Sequence, residues 1–168
     1  GDLAGAKAAY EAILEGDPEH AEAHRLLGLI AHQMGDAESA IEHLQRALTA
    51  EPENPTYHHN LAEVYRAVGD VDGAIAAYRR ATAIHPEFFE ALTNLGLLAL
   101  ENDHIGEGIE ALRRSVALQP GNPSAQANLG IALREVGAYD AALEAFAHAV
   151  ALAPEQAAFR RNFLGLLE

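Results

Sequence analysis

Cysteine and tryptophan are absent from this 168-residue chain, and methionine occurs once. Without thiols there can be no disulfide, no thiolate nucleophile and no thiolate metal site. Cytoplasm and periplasm both tolerate such a composition, so the compartment stays open, with the cytoplasm favoured. Basic residues are scarce: 11 Lys and Arg stand against 25 Asp and Glu, a formal net charge of −14. That balance lacks the basic footprint of a nucleic-acid binder. No apolar run approaches the roughly 20 residues of a membrane span. Neither nucleic acid nor a membrane is therefore expected as a partner. β-branched residues are few, whereas Ala and Leu dominate a chain that is 49% hydrophobic. An all-α fold with a continuous core follows.

Signs of catalysis are also missing. No nucleophile with a base, phosphate-cradling glycine loop or dinucleotide fingerprint can be read along the chain. Pairs such as Glu107 and Glu110 fall on an exposed helix surface. Nine histidines raise the question of a metal. His20 and His24 are separated by a helix start, however, and the adjacent His58 and His59 point in different directions. The expectation is no enzyme, no cofactor and no specific metal site.

What is present is a repeat. Pro18, Pro52, Pro86, Pro120 and Pro154 recur every 34 residues. The interval divides the chain into four full units, 21–54, 55–88, 89–122 and 123–156. Residues 1–20 match only the second half of a unit, and residues 157–168 only the first. Position 7 is Leu27, Leu61, Leu95 and Leu129. Position 8 is small (Gly28, Ala62, Gly96, Gly130), as are position 20 (Ala40, Ala74, Gly108, Ala142) and position 27 (Ala47, Ala81, Ser115, Ala149). Position 24 is large (Leu44, Tyr78, Leu112, Phe146). Small residues at 8 and 20 let two helices approach, and the large residue fills the space beside them.

Turn signals agree with this register. Gly35-Asp36 and Gly69-Asp70 stop one helix and cap the next. Asn54-Pro55 and Asn122-Pro123 set a cap before a proline at the first helical position. First helices are predicted near 21–34, 55–68, 89–102 and 123–136, and second helices near 37–50, 71–84, 105–118 and 139–152. The third unit departs from its neighbours, with Asp103 where they have Gly and with Gly106 early in its second helix. A helical Gly costs about 1 kcal/mol relative to Ala, so a softer hairpin is expected there.

Length, spacing and small-residue pattern resemble the tetratricopeptide-repeat family over the whole chain. That resemblance implies antiparallel helix pairs, A then B, stacked into a right-handed superhelical solenoid with a concave groove lined mainly by A helices. It implies also that positions 2, 5, 6, 9, 12 and 13 of each A helix face the groove. These positions hold four arginines (Arg25, Arg66, Arg134, Arg161) against five glutamates (Glu22, Glu63, Glu90, Glu101, Glu135), close to neutral.

Position 6 is the unusual one. Asn is a poor helix former, yet Asn60, Asn94, Asn128 and Asn162 occupy it at intervals of 34 residues. An amide offers a donor and an acceptor together and can pair with one peptide group of an extended chain. The row is similar to the asparagine ladder in the repeat arm of O-GlcNAc transferases. The expected function is protein or peptide binding, with Asn60, Asn94, Asn128 and Asn162 on the backbone. Leu97 and Ile131 would take side chains, and Arg66, Arg134 and Arg161 would anchor acidic groups. The first unit has Leu26 at this position, so the grip should strengthen toward the C-terminal half.

Opening in mid-repeat, the chain reads as a fragment of a larger protein, and a substrate-recruiting arm of a transferase is a second expectation. Its half-repeats should leave apolar surface at Leu3, Ile13 and Leu14 at one end and at Phe163, Leu164, Leu166 and Leu167 at the other. Because those faces are complementary, head-to-tail self-association is expected as well.

Overall fold

The computed structural model describes residues 2–167, which fall into two compact units divided between Pro86 and Glu87. Among the described residues every regular element is an α-helix. The first unit contains α1 (Leu3–Gly16), α2 (Ala21–Gln33), α3 (Ala37–Ala50), α4 (Pro55–Val68) and α5 (Val71–Ile84). The second contains α6 (Phe89–Glu101), α7 (Ile105–Leu118), α8 (Pro123–Glu135), α9 (Tyr139–Leu152) and α10 (Ala157–Leu164). The chain is thus an all-α tetratricopeptide-type repeat fold, with helix ends within a residue of those read from the sequence. No described helix is long and apolar enough to cross a membrane.

Local chemistry sets these boundaries. Asp36 and Asp70 cap α3 and α5 by accepting from the backbone N–H of Ser39 and Gly73. Asn54 and Asn122 cap α4 and α8, each followed by Pro at the first helical position, where no N–H is wanted. Gly35, Gly69 and Gly137 take φ of 82°, 79° and 76° at the hairpin turns. Asp103 holds the matching place with φ 65°, the one described non-glycine residue with positive φ. α7 then starts without a side-chain cap, because His104 stands where the first unit has Asp. The expected irregularity of the third hairpin therefore has three local causes: Asp103, His104 and the exposed Gly106, whose surroundings are open.

In the first unit α2 pairs with α3 and α4 with α5, while α1 lies on α2 and α3 on α4. Its core includes Ala40, Leu44, Leu61 and Val64, all buried. In the second unit α6 pairs with α7 and α8 with α9, α7 lies on α8, and α10 covers α9. There the core joins Leu112, Leu129, Ala132, Leu133, Ala142 and Phe146. The close approach of α6 and α7 depends on two glycines. A Cβ at Gly108 would lie 2.9 Å from the Gly96 carbonyl oxygen and 2.6 Å from Leu100 Cγ. Backbone cannot yield to that contact as a side-chain tip could, so any larger residue would prise the hairpin apart.

Candidate groove surfaces on the A helices

The first unit spends most of its groove charges on itself. On α2, the Arg25 guanidinium forms a two-pronged pair with Glu22, its Nε donating over 2.8 Å. On α4, Arg66 Nη2 donates to Glu63 Oε2 over 2.8 Å. The other Glu63 oxygen accepts from the Tyr78 hydroxyl, which reaches across from α5. His59 Nε2 stands 4.0 Å from the same carboxylate. Burial pushes the Glu63 carboxyl up, but the Tyr78 hydroxyl and Arg66 together outweigh it and hold it below the usual range. Burial and the facing Glu63 push the Tyr78 phenol up, so its proton stays in the bond. Asn60, one turn before Glu63, is half-buried; its Nδ2 is covered and has no hydrogen-bond partner. That amide does not present its donor to the open face.

The second unit is built differently. Positions 9 and 24 are both apolar there (Leu97 with Leu112, Ile131 with Phe146), so neither pair sets a carboxylate against a hydroxyl as Glu63 and Tyr78 do. Leu97, Leu100 and Glu101 of α6 face Asn128, Ile131 and Glu135 of α8 around a hollow of about 300 Å³. Leu97, Leu100 and Ile131 are partly buried against the core, and Leu100 rests over Gly108. The floor is therefore apolar and packed on the core. Glu101 and Glu135 are exposed at its rim, and neither makes an ion pair among the described residues. Asn128 stands half-exposed beside the floor.

The remaining sequence candidates are scattered. Asn94 is half-buried on α6, Asn162 half-buried on α10, and Arg134 half-buried near the end of α8. Arg161 is exposed and borders a separate open hollow of about 460 Å³ with Arg160 and Leu164. Of the residues expected to bind peptide, Leu97, Asn128 and Ile131 share one hollow. Arg66 is committed to Glu63. The seven residues expected to leave apolar surface at the two ends also divide. Ile13, Leu164 and Leu167 are 41%, 55% and 58% exposed. Leu3 and Leu14 are half-buried, and Phe163, with Leu166, rests on the core of its own unit.

A set of interactions escaped sequence reasoning. At position 4, His24 Nε2 lies 2.9 Å from the Pro18 carbonyl oxygen, His58 Nε2 lies 2.8 Å from that of Pro52, and Gln126 Nε2 lies 3.3 Å from that of Pro120. Each donates to a carbonyl six residues earlier and ties the inter-repeat turn to the next A helix. A side-chain N–H at one fixed distance after proline was the signal available. His24 Nδ1 also lies 3.0 Å from His43 Nδ1 on α3. Burial, then the neighbouring His24, holds the His43 imidazole below its usual pKa. No group of three or more His, Asp or Glu placed to hold a metal occurs among the described residues.

Two family models described as tetratricopeptide repeat match the chain, one over residues 1–55 and 93–157, the other over 31–95. Among solved structures, MamA superposes with a TM-score of 0.85 at 26% identity, covering 92% of this chain and 91% of that one. YrrB, a TPR protein with an unusual peptide-binding site, gives 0.81 at 22% identity over 95% of this chain and 82% of its own. The pilF protein of Pseudomonas aeruginosa gives 0.80 at 20% identity over 99% and 82%. The last two are likenesses of fold alone. No curated protein sequence matches the chain.

Proposed function

The chain belongs to the tetratricopeptide-repeat family, whose fold serves protein–protein interaction, and from that premise we propose that its A helices hold an extended peptide segment. The observation that carries this reading is the hollow where Leu97, Leu100 and Ile131 form an apolar floor beside the Asn128 amide. An extended chain places alternate side chains on one face about 6.5 Å apart. One such side chain fits the floor, and the amide can pair with the adjoining peptide group. Asn94 and Asn162, at the same register on α6 and α10, extend the row within the second unit. Their likeness to the ladder of O-GlcNAc transferases supports a backbone-directed grip. Arg134 and Arg161 are the cations left for an acidic group on the ligand, now that Arg66 is paired.

The test is a titration of isotope-labelled protein with a pool of unstructured, leucine-containing decapeptides, following side-chain amide resonances. The Asn128 NH2 signals should shift, and Asn128→Ala should weaken binding without changing the fold. Unmoved Asn128 signals at millimolar peptide would overturn the reading. Self-association is a second reading, favoured by the exposure of Ile13, Leu164 and Leu167.

A further inference from the structure

We infer that the α6–α8 hollow selects an apolar residue flanked by lysine or arginine, so that the segment lying over this hollow is basic, and an acidic group held by Arg134 or Arg161 would lie elsewhere on the peptide. This inference rests on the reading of that hollow as a peptide site. A count of charges along all the A helices comes close to neutral, but such a count ignores which charges are already paired. Arg25 and Arg66 are held by Glu22 and Glu63. Of the groove glutamates, Glu101 and Glu135 both stand at the rim of the hollow, and no cation lines it. One carboxylate comes from α6 and the other from α8. They end the two helices that form the hollow, each at position 13, so they share one side of the floor.

The apolar floor and the charged rim are complementary to one kind of segment. A leucine-sized side chain on Leu97, Leu100 and Ile131 brings its neighbours in sequence over the rim. Lysine and arginine have stems that lie along apolar surface while their heads stay in water, and the two exposed carboxylates would meet those heads. An aspartate or glutamate at the same place would add a third negative charge to a protein whose net charge is already −14. The hollow, about 300 Å³, is at the small end of ligand sites, which suits one side chain rather than a whole cofactor. Arg134, which precedes Glu135 on α8, and Arg161 on α10 do not line it.

Fluorescence anisotropy with three labelled peptides tests this: one with leucines flanked by lysines, one with the lysines replaced by glutamates, and one with the leucines replaced by serines. Each is titrated into the wild type, Glu101→Gln/Glu135→Gln and Asn128→Ala. Both glutamates are exposed, so the double variant should keep its fold, as its helical circular dichroism would verify. The lysine–leucine peptide should bind wild type on the order of tenfold tighter than the glutamate–leucine peptide, and the double variant should lose that preference. The serine peptide should bind more weakly than the lysine–leucine peptide. Equal affinity for the two leucine peptides, with both weakened by Asn128→Ala, would overturn the charge preference and leave the peptide site standing. A lysine–leucine affinity unchanged in the double variant would also overturn it, because attraction to the general acidity of the protein would then account for binding. If no peptide responds to Asn128→Ala or to the double variant, both the site and its preference fail.

Discussion

Tyr78 shows what one hydroxyl does in the first unit. Its ring is fully buried at the large position of the repeat, and its O–H satisfies Glu63, which Arg66 also holds. Tyr78→Phe leaves the ring packing intact and removes a donor from a half-buried carboxylate. Such a bond to a charged group contributes about 1.5 kcal/mol, so urea unfolding at neutral pH should show a loss of that order. Glu63 has its pKa lowered in the folded state. Its contribution is therefore present above the ordinary carboxylate value of 4.5 and is lost as pH falls through the folded value. The gap between Tyr78→Phe and wild type should narrow on acidification. His43 gives a second pH signature. Its folded pKa is also lowered, by burial and His24, with Lys7 and Arg46 acting in the same direction and Glu42 opposing. Folding therefore favours the neutral ring, and stability should fall as pH drops from 6.5 toward the folded value. Melting curves between neutral pH and pH 5 should show a smaller decline for His43→Gln than for wild type.

Among the second helices of the repeats, α7 combines a missing side-chain cap with a non-glycine residue at positive φ just before it. α3 and α5 begin after a left-handed glycine and an aspartate cap, whereas α7 follows Asp103 at φ 65° and an uncapped His104. Gly106 adds its own helical cost of about 1 kcal/mol. Backbone amides in the first turn of α7 should exchange with deuterium faster than those in the first turns of α3 and α5. Asp103→Gly relieves the backbone and should raise stability by about 0.5 kcal/mol, since the gain is offset in part by glycine's freedom when unfolded. His104→Asp should restore a cap and add about 1 kcal/mol. Gly108 looks similar in sequence and behaves oppositely, because a Cβ there meets the Gly96 backbone. Gly108→Ala should destabilise while Gly106→Ala stabilises, a contrast that thermal melting of the two variants would display.

For the molecule as a whole, the open matter is whether copies associate. Ile13, Leu164 and Leu167 are exposed, whereas Phe163 and Leu166 rest on the protein's own core. Light scattering coupled to size exclusion should therefore show a mass that rises with concentration. Leu164→Ser with Leu167→Ser should suppress the rise. A constant monomer mass at high concentration would count against association through these side chains. The large acidic excess opposes close approach of copies, so any association should strengthen with salt.

The 34-residue interval, the helix limits and the identity of the small and large positions were all legible in the amino-acid sequence. They depend on local chemistry: Asp36, Asp70, Asn54 and Asn122 cap helices through residues two or three places away, and prolines mark turns wherever they occur. The floor residues Leu97 and Ile131 and the amide of Asn128 were legible too, because a helix repeats its faces at a constant phase. Charge was a different matter. Arg66 is neutralised on its own helix, and Glu63 is drawn in by Tyr78 from the next one. Glu101 and Glu135 stay unpaired at one rim. A count along the chain weighs those four charges alike. Arg66 and Glu63 lie three residues apart on one helix, a spacing that pairs them locally. Only the tertiary structure separates half-buried Glu63 from exposed Glu101 and Glu135, because the Tyr78 hydroxyl reaches Glu63 when α4 and α5 pack.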